Sequence, residues 1–200
     1  LGTALLGKSL SSKAGSREFY TLTFGVAGIW IAGGLATGPI PLASEQARRH
    51  AARELLVVPV AVGSGMFGVF YAAALAASRI PPLKRALTHV LRYADEGSTP
   101  LVVSTTLANA VAEEAFFRGA LYTATDPRRA IPVSTGGYML TTAGTRNPAL
   151  VLATAVMGTV FALQRRRTGG VIAPAVTHIT WSALMLRFLP PLFRTRRKAS

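Results

Sequence analysis

The sequence predicts an all-α protein, a polytopic transmembrane bundle of about six hydrophobic helices. Three observations carry this. Half of the 200 residues are apolar and only 15% are charged, against about 25% in an ordinary soluble domain. The charge that remains is lopsided, with 22 Lys and Arg against 8 Asp and Glu. Those basic residues fall in short clusters between long uncharged runs, the layout of membrane spans with interfacial anchors. Such a chain is too hydrophobic to be disordered. The basic clusters lack interleaved aromatics, which argues against nucleic-acid binding. Cysteine is absent, so disulfide frameworks, Cys-ligated zinc and Cys nucleophiles are excluded.

Residues 1–18 read as a basic flank with Lys8, Lys13 and Arg17, and 19–193 as one membrane-embedded domain. The sequence opens on Leu1, so six spans is read as a minimum. No residue from Phe19 to Ser44 is charged. At 1.5 Å per residue that run reaches about 39 Å as helix, enough to cross a hydrocarbon core of about 30 Å. Pro39 and Pro41 punctuate its end, and a basic stretch with Arg48, Arg49 and Arg53 follows. The second run, Leu55 to Ser78, is rich in Gly, Ala and Val. It contains Gly63-Ser64-Gly65-Met66-Phe67-Gly68. A dinucleotide fingerprint needs a preceding strand and a distal acidic residue, so these glycines are read as helix-packing positions.

Arg79 to Thr99 is the longest polar connection, and its central part, Leu83 to Tyr93, has the spacing of a helix lying on the membrane surface. The third run extends from Leu101 to about Ala124. The fourth, Ala130 to Thr145, is short enough to be a buried or tilted partial span. The fifth, Ala149 to Gln164, stops at Arg165-Arg166-Arg167. The sixth runs from Thr168 to Leu186 and on past Arg187 to Phe193, and 194–200 is a basic tail. With six spans, the termini, the long connection and Arg146 share one side, which carries 12 basic residues against 8 on the other. The positive-inside rule then puts the termini in the cytoplasm, and the expected location is a bacterial-type plasma membrane. His50 and His89 lie in polar segments and are read as solvated.

The third run carries three ionisable residues, Glu113, Glu114 and Arg118. Each costs about 2.5–3.5 kcal/mol inside a span, so together they mark a functional site. Glu114 and Arg118 are four apart and pair on one helix face. That leaves Glu113 without a local charge partner. Asn109, one turn earlier, is a candidate hydrogen-bond partner for it, and His178 is the one histidine in a membrane run. As buried structure, Glu114 and Arg118 would fix helix packing and His178 would be a satisfied core residue. As chemistry, two carboxylates and an imidazole in a bilayer could hold a metal with N and O ligands, activate water, or relay protons. A transporter should spread its ionisable groups over several helices and show symmetry between its halves, and neither is present.

Glu113-Glu114-Ala115-Phe116-Phe117-Arg118-Gly119 resembles the E-E-x-x-x-R signature of the CPBP intramembrane proteases. These are the type II CAAX prenyl endopeptidases and the bacteriocin-processing and immunity (Abi) proteins. Arg165 to His178, including Thr168-Gly169-Gly170, is similar to the stretch leading to the family's last histidine. The resemblance covers about residues 100–190. It departs from the family at two places. Tyr138 to Thr142 matches F-x-x-x-H with Thr142 in the histidine position. Ser182 stands where H-x-x-x-N has its asparagine.

The resemblance implies an endopeptidase acting on a membrane-associated protein or peptide, with membrane lipid its other partner. Glu113, Glu114 and His178 would be catalytic, with Arg118, Asn109, Thr142 and Ser182 supporting. A family metal would be zinc, held by Glu113 and His178. Catalytic zinc takes three protein ligands, and with Thr142 replacing a histidine the set falls short. The alternative is a catalytically degenerate relative that acts by binding or scaffolding.

Overall fold

The computed structural model describes residues 1–193, so the basic tail at 194–200 lies outside the described residues. Their regular secondary structure is all helical, with no strand among the described residues. Helix α1 spans Gly2–Ser9, α2 Arg17–Ala36 and α3 Glu45–Arg49. A π-helical turn, Ala52–Val57, leads into α4, Val58–Ala77. Helix α5 is Pro81–Glu96, and α6, Thr99–Glu113, continues as a π-helical segment, Glu114–Leu121. Helices α7 (Ala130–Ala143), α8 (Pro148–Thr168), α9 (Ile172–Phe188) and α10 (Pro190–Phe193) follow within the described residues.

Among the described residues, three helical stretches are long and apolar enough to cross a membrane, Arg17–Ala36, Ala52–Ala77 and Pro148–Thr168. The other three expected hydrophobic helices are present as α6 with its π segment, α7 and α9, which are shorter or carry the buried charges. The outward surface matches a lipid environment. Leu140 is 75% exposed, Val69 67% and Leu152 65%, more apolar exposure than water would favour. The protein is an integral membrane protein.

Local chemistry sets the ends. Ser16 accepts from Phe19 N at 3.1 Å and caps α2. Asn147 Oδ1 accepts from Ala149 N (3.0 Å) and Leu150 N (3.3 Å) to cap α8, the usual role of Asn there. Its Nδ2 donates to Ala86 O at 2.9 Å, docking α5 on the start of α8. Gly169 closes α8 in the left-handed region (φ 72°), where glycine pays no Cβ penalty. Pro59 is the second residue after the first π turn. Its ring opposes the carbonyl four residues back, and widening the preceding turn relieves that clash.

The bundle has two ends. At one, loop 37–44 is laced to the α8–α9 turn by Ser44 N to Thr168 O (2.8 Å) and Val171 N to Pro41 O (2.9 Å). At the other, the Tyr93 hydroxyl on α5 donates towards Leu10 O (2.6 Å) and Ser12 O (2.9 Å). Helix α1 was read only as flank; its eight residues are too few for a periodic signal. It packs there because Gly7 lets it approach the end of α7, where a Cβ would meet Gly144 O at 2.6 Å. Of the three formal fingerprint glycines, Gly63 is a packing contact, 2.8 Å from Cβ position to Thr177 O. Gly65 and Gly68 face open space.

His50 and His89 are exposed. His89, on α5, has its pKa held below the ordinary imidazole value by partial desolvation first and the neighbouring Arg92 charge second.

Candidate active site

The E-E-x-x-x-R residues sit where α6 widens. Glu113 ends the α-helix and Glu114 opens the π segment. Tyr122 N bonds Phe117 O five residues back, the π register, which recurs at functional sites. Arg165, read from sequence as an interfacial stop, reaches into this segment. Its Nε donates to Arg118 O at 2.8 Å, its Nη2 to Thr123 Oγ1 at 3.3 Å, and its guanidinium lies over the Tyr122 ring. Helix α8 thus holds the π segment by a backbone carbonyl.

Glu114 and Arg118 are both fully buried, and Arg118 Nη1 donates to Glu114 Oε1 at 3.1 Å. His178 Nδ1, from α9, lies 3.0 Å from the same oxygen. A carboxylate accepts only, so Nδ1 carries the hydrogen, and in the uncharged tautomer that this bond selects Nε2 is the acceptor. The Arg118 guanidinium packs over Tyr138 (4.8 Å) and Phe161 (5.1 Å). His178 stacks on Phe161 at 4.8 Å. Gly158 on α8 makes room for the arginine: a Cβ there would lie 3.3 Å from Arg118 Nη2 and 3.0 Å from Thr135 Cγ2. Removing one partner of such a buried pair strands a charge and costs about 3–5 kcal/mol.

Glu113 is half-buried and differently held. Its Oε2 accepts from the Tyr138 hydroxyl at 2.5 Å, across from α7. It lies within electrostatic reach of His178, Glu114 and Arg118. Both glutamates, Arg118 and His178 are therefore gathered in one place, but the expected pairing differs in detail. The histidine goes to Glu114, and Glu113 takes a tyrosine.

Asn109 does not reach Glu113. Its Nδ2 donates to Thr23 O (3.0 Å) and Thr105 O (2.9 Å), tying α6 to α2. Sequence spacing placed it on the right face, but the backbone carbonyl of a packed neighbour competes for the amide. Thr142 is buried, and its hydroxyl donates to Tyr138 O at 3.0 Å on its own helix. Ser182 is buried on α9, one turn beyond His178. Tyr138 is the site residue that sequence reasoning missed. It heads the stretch read for its histidine position, and the hydroxyl that departs from the family's phenylalanine was the available signal.

Zinc does not fit these residues. Among the described residues no three of His, Cys, Asp and Glu come together as metal ligands. Glu114 is committed to Arg118 and His178, Glu113 to Tyr138, and the Thr142 hydroxyl to a backbone carbonyl.

Residues 95–184 match the family model described as Rce1-like, type II CAAX prenyl endopeptidase Rce1-like, just under half of the chain. The matched segment holds every member of the site, and the match supports membership of the CPBP family. No curated protein matches the chain, and no solved structure does.

Proposed function

We propose that this membrane protein is an intramembrane endopeptidase of the CPBP type in which Glu113 activates water without a metal. The observation that carries the reading is the half-buried Glu113 carboxylate, held by one hydroxyl beside a buried Glu114–Arg118–His178 frame. Tyr138 occupies Oε2 and leaves Oε1 to accept a proton. Water gives that proton to Glu113 as its oxygen attacks the scissile carbonyl carbon. Glu113 then returns the proton to the amide nitrogen as the C–N bond breaks. His178 Nε2 accepts the second hydrogen of the water and so orients it. Glu114 and Arg118 hold the ring and the π segment in register. The substrate class is a membrane-associated protein or peptide, and the site is in a bacterial-type plasma membrane with both termini cytoplasmic.

The test is cleavage of a membrane-anchored reporter by the purified chain. Glu113→Gln abolishes cleavage while membrane expression persists; full activity in that variant overturns the mechanism.

A second reading has its own observation. Thr142 and Ser182 stand at the family's histidine and asparagine positions, and Thr142 spends its hydroxyl on its own helix. This favours a non-catalytic relative that binds membrane proteins. Glu113-dependent cleavage of any peptide eliminates it.

A further inference from the structure

At the end of the bundle where loop 37–44 meets α8, a cavity of about 250 Å³ opens at the surface, lined by Ser44, Gln46, His50, Arg53, Glu54 and Arg167. It is distinct from the site around Glu113. At its heart is one carboxylate between two guanidiniums. Glu54 Oε2 lies 3.2 Å from Arg167 Nη2, and Glu54 Oε1 lies 3.4 Å from Arg53 Nη1. The two arginine side chains are 62% and 73% exposed, while that of Glu54 is only 15% exposed. The anion is therefore inside and the cations reach outward. Each guanidinium carries five N–H donors, and the contacts to Glu54 use only a fraction of them.

The position says what meets this cavity. Glu54 lies at the start of the 52–77 span and Arg167 at the end of the 148–168 span. The cavity is thus at headgroup depth. Apolar surface begins within two turns of it on both helices: Leu56 is 56% exposed, Val57 59% and Val60 38% after Glu54, and Leu163 is 41% exposed one turn before Arg167. An occupant with charge at one end and alkyl chains at the other has both halves provided for. The charge pattern narrows its class. A lipid that is only anionic would satisfy the arginines and face Glu54. A quaternary ammonium has no N–H to give the carboxylate. A primary ammonium brings three donors, which the Glu54 carboxylate can accept and for which Ser44 and Gln46 in the same lining carry further oxygens.

We propose that the cavity binds the headgroup of a zwitterionic aminophospholipid of the phosphatidylethanolamine type, with its phosphate between Arg53 and Arg167 and its ammonium on Glu54. Bidentate guanidinium contacts suit the phosphate, and the acyl chains follow the exposed Leu56, Val57 and Val60 surface.

The experiment is native mass spectrometry of the full chain in detergent, titrated with chain-matched phosphatidylethanolamine, phosphatidylcholine and phosphatidylglycerol. A separate arm uses soluble phosphoethanolamine. Phosphatidylethanolamine is expected to bind about tenfold more tightly than either other lipid. Glu54→Gln should erase its advantage over phosphatidylcholine, and the double variant R53Q/R167Q should lower binding of all three. Phosphatidylglycerol binding as tightly as phosphatidylethanolamine overturns the proposal, because ranking by negative charge alone needs no Glu54. Equal binding of soluble phosphoethanolamine overturns the lipid as its source. Should Glu54→Gln fail to fold, Arg53→Gln, a change at an exposed side chain, must still weaken phosphatidylethanolamine; unchanged binding overturns the proposal.

Discussion

Glu113 and Glu114 are neighbours in the chain and are held in opposite ways. Glu114 is sealed, with one oxygen shared between an arginine on its own helix and a histidine from α9. Glu113 is half-buried and touches a single neutral donor from α7. The change from α-helix to π segment falls between them. One carboxylate is thereby placed among charges that hold it as structure, and the other is left with an oxygen for chemistry. A paired carboxylate in a bilayer is a fixed strut; one with a single hydroxyl partner can still take a proton.

The largest expected effect tests the chemical half of this contrast. Glu113→Gln should reduce reporter cleavage by about 10²–10⁴-fold, the usual worth of a general base, while thermal unfolding in detergent stays near wild type. The structural half predicts the reverse for Arg118→Met. Stranding Glu114 should lower stability by about 3–5 kcal/mol, read as a loss of melting temperature and of folded yield. If Arg118→Met folds normally and only activity falls, the assignment of the two roles is wrong.

Tyr138→Phe should produce a smaller change. It removes the hydroxyl on Glu113 and keeps the ring under Arg118. A hydrogen bond to a charged group is worth about 1.5–3 kcal/mol, so turnover should fall by about tenfold or more, with the pH profile displaced and binding of substrate little altered. An unchanged profile would show that the hydroxyl does not act through Glu113. The smallest effect is expected at the surface. Glu45 and Arg49 form an i,i+4 pair with both side chains more than 70% exposed. Glu45→Gln should leave the melting temperature unchanged, since solvent and salt screen such pairs.

Much of the fold was legible because membrane spans announce themselves by composition. The uncharged runs Phe19 to Ser44, Leu55 to Ser78 and Ala149 to Gln164 became α2, α4 and α8. The surface helix expected over Leu83 to Tyr93 is α5, longer at both ends, with the Pro81-Pro82 pair starting it. The Glu114–Arg118 pair was legible for a similar reason, being a contact four residues apart on one helix.

The contacts that were not legible are long-range. Tyr138 reaches Glu113 over 25 residues, Arg165 reaches Arg118 over 47, and His178 reaches Glu114 over 64. By itself the sequence determined the hydrophobic helices, their basic anchors and the presence of buried charge in the third run, because each follows from residues adjacent along the chain. The tertiary structure decided which glutamate is sealed and which is left half open. That choice depends on how α7, α8 and α9 pack around a locally widened helix turn.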